Sequence, residues 1–358
     1  MNNDMSACMC VQIDLHGGVT ALSLSPSGSE VLAGCSSGNI YRCLTQRLAS
    51  DLITTSHTTA VTAISCGSFE GERSGLFATG TANGELRVWD IADYACVATR
   101  SERKSGSVMC LGLMANNSLV VSGWKDGSVK CHDMTLNRMV WQIPQAHRDG
   151  VCTLDICDEP EERLQFLVTG GADGTVRVWR LANRELLTQY SEHSKAVVKV
   201  LIDNEEKNLV HSVSSDCTIL SYDLKTNRRK ISHIIRGGAL TYMTQRKDSE
   251  RELITCDTQG RLLHWDIDYR DPVLAVQDAG PDPSLAVCAV SPSGRYLAFA
   301  GVDMVLKVLE VGSSQIVSLG KGHSDGIRSL AWTPDERQII TGSDDTCMCV
   351  WNFFLGGV

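Results

Sequence analysis

Eight near-repeats of about 44 residues run from Leu15 to the end of a 358-residue chain, and each closes on the same short signature. A small residue is followed by a polar turn and then by an alternating strand that ends in Trp or a stand-in for it. Gly171-Ala172-Asp173-Gly174-Thr175-Val176-Arg177-Val178-Trp179 is the clearest copy, and Thr81-Ala82-Asn83-Gly84-Glu85-Leu86-Arg87-Val88-Trp89 the next. Aligned on the last position, the repeats end at Cys43, Trp89, His132, Trp179, Tyr222, Trp265, Leu309 and Trp351, with gaps of 46, 43, 47, 43, 43, 44 and 42 residues. A unit this short buries its apolar face only against its neighbours. The length alone suggests two domains, but the unbroken repeat predicts one, spanning residues 1–358.

The fourth repeat gives the local structure. Val151 to Ile156 alternates apolar and polar residues, as a half-buried first strand does, and Leu164 to Thr169 is the mostly apolar run of a strand covered on both faces. Ala172-Asp173-Gly174 is a tight turn whose Gly suits positive φ. Thr175 to Trp179 returns as the third strand, and Glu185 to Tyr190 supplies the edge. An all-β chain of four-stranded units follows. The period, with His near the start of a unit and Trp at its end, resembles WD40 repeats, and that resemblance implies a β-propeller.

His147, Thr169, Asp173 and Trp179 stand at the spacing of the tetrad typical of such repeats. The resemblance implies that Asp orients His, His bonds the hydroxyl, and the hydroxyl accepts the indole N–H. His323, Thr341, Asp345 and Trp351 repeat the set, and His57, Thr79, Asn83 and Trp89 keep it with Asn for Asp. Repeat five has His193, Ser212 and Asp216 but ends in Tyr222, and repeats one, three, six and seven are degenerate. A set that recurs in each unit and ends in Trp is a packing device. A hydrolase needs one exposed nucleophile beside an oxyanion site, so no enzyme and no cofactor is expected.

Strand arithmetic sets the blade number at eight, with seven the alternative. Eight repeats supply three strands each and seven internal edges, and only the last unit lacks its edge. Cys8 to Ile13 reads as a strand that pairs with Thr346 to Trp351 and closes the ring. A seven-bladed ring would leave strand edges open to aggregation.

Composition excludes other classes. The net charge is −9, and the densest basic cluster, Lys225, Arg228, Arg229 and Lys230, lacks the breadth of a nucleic-acid face. No apolar run approaches the length of a membrane span, and the amino terminus lacks the pattern of a secretory signal. The 15 cysteines follow no fixed spacing, which fits free thiols in a reducing compartment and a cytoplasmic location. Two Cys-x-Cys pairs, Cys8 with Cys10 and Cys347 with Cys349, fall on the strands expected to meet at the closure. Four thiols on one face there would suit a soft metal. Small buried side chains are the simpler reading, and no metal is assigned.

The candidate partner surface is the end of the blades that carries the turns between second and third strands. Trp124, in Ser122-Gly123-Trp124-Lys125-Asp126-Gly127, stands where most repeats have small residues. It is either wedged between blades or exposed as an anchor for a partner. Lys125, Arg148 and Lys195 flank it. At the other end, Glu159-Pro160-Glu161-Glu162 and Glu70-Gly71-Glu72-Arg73 enlarge two loops. Arg87, Lys130, Arg177 and Lys307, each two residues before a repeat end, are expected to lean over rings or meet acidic turns.

The order of the units, including the degenerate ones, resembles one family. Val19-Thr20-Ala21-Leu22 through Gly38-Asn39-Ile40-Tyr41-Arg42 has a matching non-Trp ending. Leu76-Phe77-Ala78-Thr79 with Leu86-Arg87-Val88-Trp89, the Trp124 turn, Ala146-His147-Arg148-Asp149-Gly150-Val151 and Gly322-His323-Ser324-Asp325-Gly326-Ile327 follow in sequence. Together they are similar to the carboxyl-terminal part of the cilia- and flagella-associated protein 52 family. That resemblance implies a non-catalytic scaffold on the inner wall of ciliary or flagellar doublet microtubules, with tubulin and other axonemal inner proteins as partners; the charge pattern and the lack of a long apolar run speak against nucleic acid and membrane. The alternative is a soluble cytoplasmic adaptor for peptide or signalling partners.

Overall fold

A computed structural model of the chain describes residues 8–25, 28–44, 50–54, 59–66, 76–90, 95–114, 119–133, 136–159, 164–246, 252–266, 269, 271–277, 284–333, 336–345 and 347–353. Their strands form eight four-stranded antiparallel sheets, the blades of a β-propeller. No helix among the described residues is long and apolar enough to cross a membrane.

Two compact units emerge, one of residues 61–240 and one of 1–60 with 241–358. In the first, blade 2 consists of Val61–Cys66, Leu76–Thr81, Glu85–Asp90 and Cys96–Ser101, and blade 3 of Val108–Leu113, Leu119–Trp124, Val129–Asp133 and Arg138–Ile143. Blade 4 has Val151–Glu159, Leu164–Gly171, Val176–Arg180 and Leu186–Tyr190, and blade 5 has Val197–Ile202, Leu209–Ser214, Thr218–Asp223 and Arg228–Ile234. The first two strands of blade 4 outrun the sequence reading, because pairing continues to Glu159 opposite Leu164.

Burial follows the sequence pattern. Second strands are apolar and closed to solvent along nearly their whole length, as Leu209–Ser214 is, whereas the outermost strand Arg138–Ile143 is mostly exposed. The second strand of one blade packs on the first strand of the next through a glycine opposite a valine. A Cβ on Gly80, Gly123 or Gly170 would lie 2.5, 2.7 or 2.6 Å from the nearest Val108, Val151 or Val197 methyl. No larger side chain fits there without moving the next blade.

The second unit holds blade 1 (Val19–Leu24, Glu30–Cys35, Ile40–Leu44, Ser50–Thr54) and blade 6 (Leu240–Gln245, Glu252–Asp257, Arg261–Asp266, Leu274–Gln277). Blade 7 has Leu285–Val290, Tyr296–Gly301, Val305–Glu310 and Gln315–Lys321. Blade 8 takes Ile327–Trp332, Gln338–Ser343 and Cys347–Asn352 from the end of the chain and its fourth strand, Cys8–Asp14, from the beginning. Cys8 pairs with Asn352 and Asp14 with Cys347, in antiparallel register with one shift between Met9 and Val11. The strand count thus balances as the repeat arithmetic requires. Gly342 in blade 8 meets Val19 of blade 1 at 2.4 Å from its ideal Cβ, the same small-residue joint as in the other unit.

Candidate functional site

In every blade the turn between second and third strands and the loop entering the first strand share one end of the sheet, the rim. The rim turn needs a left-handed residue. Gly174 supplies it at φ +76°, and a Cβ there would sit 2.6 Å from the His193 carbonyl oxygen. In blade 5 the equivalent Cys217 adopts φ 69° instead.

Beneath the rim lie the tetrads. In blade 4, His147 Nδ1 is 3.0 Å from Asp173 Oδ1 and Nε2 is 2.8 Å from Thr169 Oγ1, which accepts the Trp179 indole N–H at 3.0 Å. With Nδ1–H donated to the carboxylate, Nε2 accepts the Thr169 hydroxyl proton, so the chain of donors is complete with a neutral imidazole. Burial pushes the His147 pKa down in keeping with this. Burial alone would raise the Asp173 carboxyl. The Arg148 backbone N–H, the Thr175 hydroxyl and His147 outweigh it and hold the pKa at about 2. Gly171 permits the His–Asp approach, since a Cβ there would fall 2.1 Å from His147 Nδ1.

Blade 8 has the same geometry: His323 to Asp345 at 2.9 Å, His323 to Thr341 at 2.7 Å, and Trp351 to Thr341 at 2.8 Å. In blade 2, Trp89 donates to Thr79 at 3.0 Å, and Asn83 accepts the Thr81 hydroxyl at 2.7 Å. His57 lies outside the described residues. In blade 5, His193 meets Ser212 at 2.8 Å, and the strand-end Tyr222 stacks on Tyr190 with centroids 3.8 Å apart. Blade 6 has no tetrad histidine yet keeps the indole link from Trp265 to Thr255 at 2.9 Å.

Of the two readings of Trp124, the structure bears out the wedge and corrects the exposed anchor, because the residue has no exposed surface at all. It occupies the position of Gly171, beside which the tetrad histidine sits in blade 4, and its indole N–H goes to Ser122 Oγ at 2.8 Å. Ser122, the counterpart of Thr169, thereby satisfies its hydroxyl in a blade that has no tetrad His. Lys130 covers the ring at 4.6 Å and is fixed by Glu102 at 3.0 Å and Ser105 at 2.6 Å. Arg87 similarly bonds Glu85, and Lys307 pairs with Asp303.

Displacement of the indole has a consequence at the strand end. His132, ten residues after Ser122 as Trp179 is after Thr169, is wholly buried, and neither ring nitrogen has a hydrogen-bond partner among the described residues. Burial, the dominant effect, pushes its pKa down to about 4.

A second buried line escaped the sequence reading. Ser221 Oγ is 2.8 Å from His211 Nδ1, and His211 Nε2 is 3.1 Å from Asp203 Oδ2, while Asp203 Oδ1 accepts the N–H groups of Glu205 and Glu206. This has the composition of a hydrolase triad, but the three residues are at most 1% exposed. Ser221 therefore meets no substrate, and the line stabilises blade 5. The signal for it was pairwise, His211 facing Ser221 across two strands, and no repeat spacing announces that.

The backbone register also separates the cysteine pairs. Cys8 is level with Asn352, at the opposite end of the strand pair from Cys347, which is level with Asp14. Among the described residues no group of three or more His, Cys, Asp or Glu is placed to hold a metal. The side chains of Cys8 and Cys10 lie outside the described set, as do the loops at 70–73 and 160–162.

On the rim itself, Lys125, Arg148 and Lys195 are exposed. Turns, tetrads and repeating sheets together define a β-propeller of WD40-like blades. The model of the WD domain, G-beta repeat, matches residues 50–90, 140–180 and 314–352. Over 351 residues the chain is 25% identical to cilia- and flagella-associated protein 52 of Homo sapiens, covering 96% of this chain and 53% of that one. The Chlamydomonas reinhardtii protein of the same name is 24% identical over 95% of this chain and 54% of its own. The chain thus spans about half the length of these relatives. Apoptotic protease-activating factor 1 of Mus musculus is 22% identical over 78% of this chain and 22% of its own. Among solved structures, the computationally designed Ika8 protein superposes with a TM-score of 0.80 over 96% of this chain and 99% of its own, at 21% identity, a likeness of fold alone.

Proposed function

We propose that this chain is a non-catalytic scaffold of the cilium or flagellum, seated on the inner wall of doublet microtubules, where it binds tubulin and other inner proteins and stabilises the axoneme. The observation that carries this reading is the extent of similarity to cilia- and flagella-associated protein 52, which runs through all eight units including those without a tetrad. The polar sets support it as well. The tetrads and the His211 line are spent on internal hydrogen bonds, leaving the blade surfaces for contact. In this reading Lys125, Arg148 and Lys195 belong to the contact rim, and Trp124 supports it from below.

The alternative is a cytoplasmic adaptor for a peptide or signalling partner, which the similarity to apoptotic protease-activating factor 1 favours. Expression of the tagged chain in ciliated cells, followed by separation of axonemes from soluble protein, distinguishes the two. A scaffold of the doublet wall stays with axonemes through a salt wash. Recovery in the soluble fraction supports the adaptor.

A further inference from the structure

Five exposed cations line the rim across blades 3, 4 and 5, within the unit formed by residues 61–240: Arg103, Lys104, Lys125, Arg148 and Lys195. None has an ion pair among the described residues. They sit on segments tied into one strip. Lys125 N donates to Ser107 O at 2.9 Å and Asp126 N to Ser105 O at 3.2 Å, joining the Arg103–Lys104 loop to the blade 3 turn. His147 N donates to Gly127 O at 2.9 Å, and Ala172 N to Gly150 O at 3.0 Å, which brings in the Arg148 loop and the blade 4 turn. That turn packs on the next loop, with the ideal Cβ of Gly174 only 3.1 Å from Lys195 O.

The carboxylates of this strip are mostly turned away from solvent. Asp173 and Asp216 have side chains 11% and 6% exposed and are bonded to His147 and His193. Glu102 is taken by Lys130 and Glu192 by Arg229. Asp126 and Asp149 are the exposed acids there that have no ion pair among the described residues, so five unpaired positive charges face two unpaired negative ones. In blades 1, 6, 7 and 8 the corresponding described loops and turns hold Asp303, Asp325, Asp344 and Asp345, and Arg236, in the loop entering blade 6, is the one lysine or arginine between strands there. The cationic layer is therefore local to one unit of a chain whose net charge is −9.

We infer that this strip docks a protein partner through a cluster of aspartate and glutamate side chains on that partner. Charge complementarity selects the acidic partner and steers its approach. Met109, 41% exposed at the first-strand bulge of blade 3, adds an apolar contact beside the cations. Nucleic acid is disfavoured by the net charge and by the burial of Trp124, which leaves the strip without that ring as a base-stacking platform. The inference rests on the scaffold reading and supplies the chemistry of its partner.

Fluorescence anisotropy of a labelled glutamate-rich peptide tests it, using the purified full chain, the triple variant Lys104→Glu/Lys125→Glu/Arg148→Glu, and the control Arg228→Glu/Lys230→Glu on the outermost strand of blade 5. All substituted side chains are exposed, and melting curves verify that each variant is folded. The full chain binds saturably and loses affinity as salt is raised. The triple variant binds about tenfold more weakly or worse, while the control stays within about twofold of wild type. No saturable binding by wild type, equal loss in the control, or tighter binding of a single-stranded oligonucleotide than of the peptide would overturn the inference. Peptide binding by a chain absent from axonemes leaves the surface standing and removes the ciliary reading. An axonemal chain that ignores the peptide removes only the surface.

Discussion

Trp124 and His132 are two halves of one exchange. In a complete unit the strand-end Trp donates to the second-strand hydroxyl and a His supports it from the loop. In blade 3 the Trp stands two residues after the hydroxyl, takes the histidine's place, and leaves His132 where the indole would be. Trp124→Ala is expected to cost about 3–5 kcal/mol, because it opens a large cavity and strips Ser122 of its donor. Trp124→Phe, which keeps most of the volume, should cost about 1 kcal/mol. Equilibrium denaturation measures both, and an unchanged midpoint for the alanine variant contradicts the burial.

His132 gives blade 3 a pH dependence of known sign. Its folded pKa, about 4, lies below the ordinary value of 6.5, so between the two the unfolded chain binds more protons. Stability is full above pH 6.5, falls as the pH drops toward 4, and takes no further loss from this group below that. The depression corresponds to about 3 kcal/mol. Other buried histidines, His147 among them, shift the same way, so the contribution is read by difference. His132→Phe should flatten the stability profile between pH 6.5 and 4 relative to wild type, and parallel profiles would sink the assignment.

At the scale of strands, the pairing of Cys8–Asp14 with Cys347–Asn352 joins the two ends of the chain in one blade. Removing residues 1–14 exposes the edge of Cys347–Asn352, whose Cys349, Val350 and Trp351 are buried. The truncated chain should melt lower by about 5 °C or more and aggregate more readily. A melting temperature equal to that of the full chain would mean the strand contributes nothing.

This pairing was legible because the strand count balances only if the first strand is used. The turns were legible too, since Gly at 84, 127 and 174 marks the left-handed position that φ of 79°, 82° and 76° confirms. Periodicity reports what recurs, so it could not reveal what blade 3 does once. The swap of indole for imidazole depends on side-chain direction in three dimensions. The His211–Ser221–Asp203 line, built on cross-strand pairing, was hidden for the same reason.

For the molecule as a whole, most of the recurring sequence signal is internal. Tetrads, small-residue joints and Trp124 hold blades together, and the groups left for partners are ordinary exposed side chains with no motif. This is why the fold could be read from the sequence while the contact surface had to await the burial of Trp124 and the exposed layer of cations. Partner choice by such a surface depends on shape and local charge, which an overall charge of −9 conceals.

The central claim is a seat on the doublet wall, and electron cryotomography of axonemes tests it most directly. Axonemes from cells expressing the chain with a bulky tag are compared with axonemes from cells lacking it. The account predicts added density at a regular repeat on the luminal face of the doublets, absent when the chain is removed. Identical doublets in the two preparations, with the tagged chain recovered from the soluble pool, would contradict it.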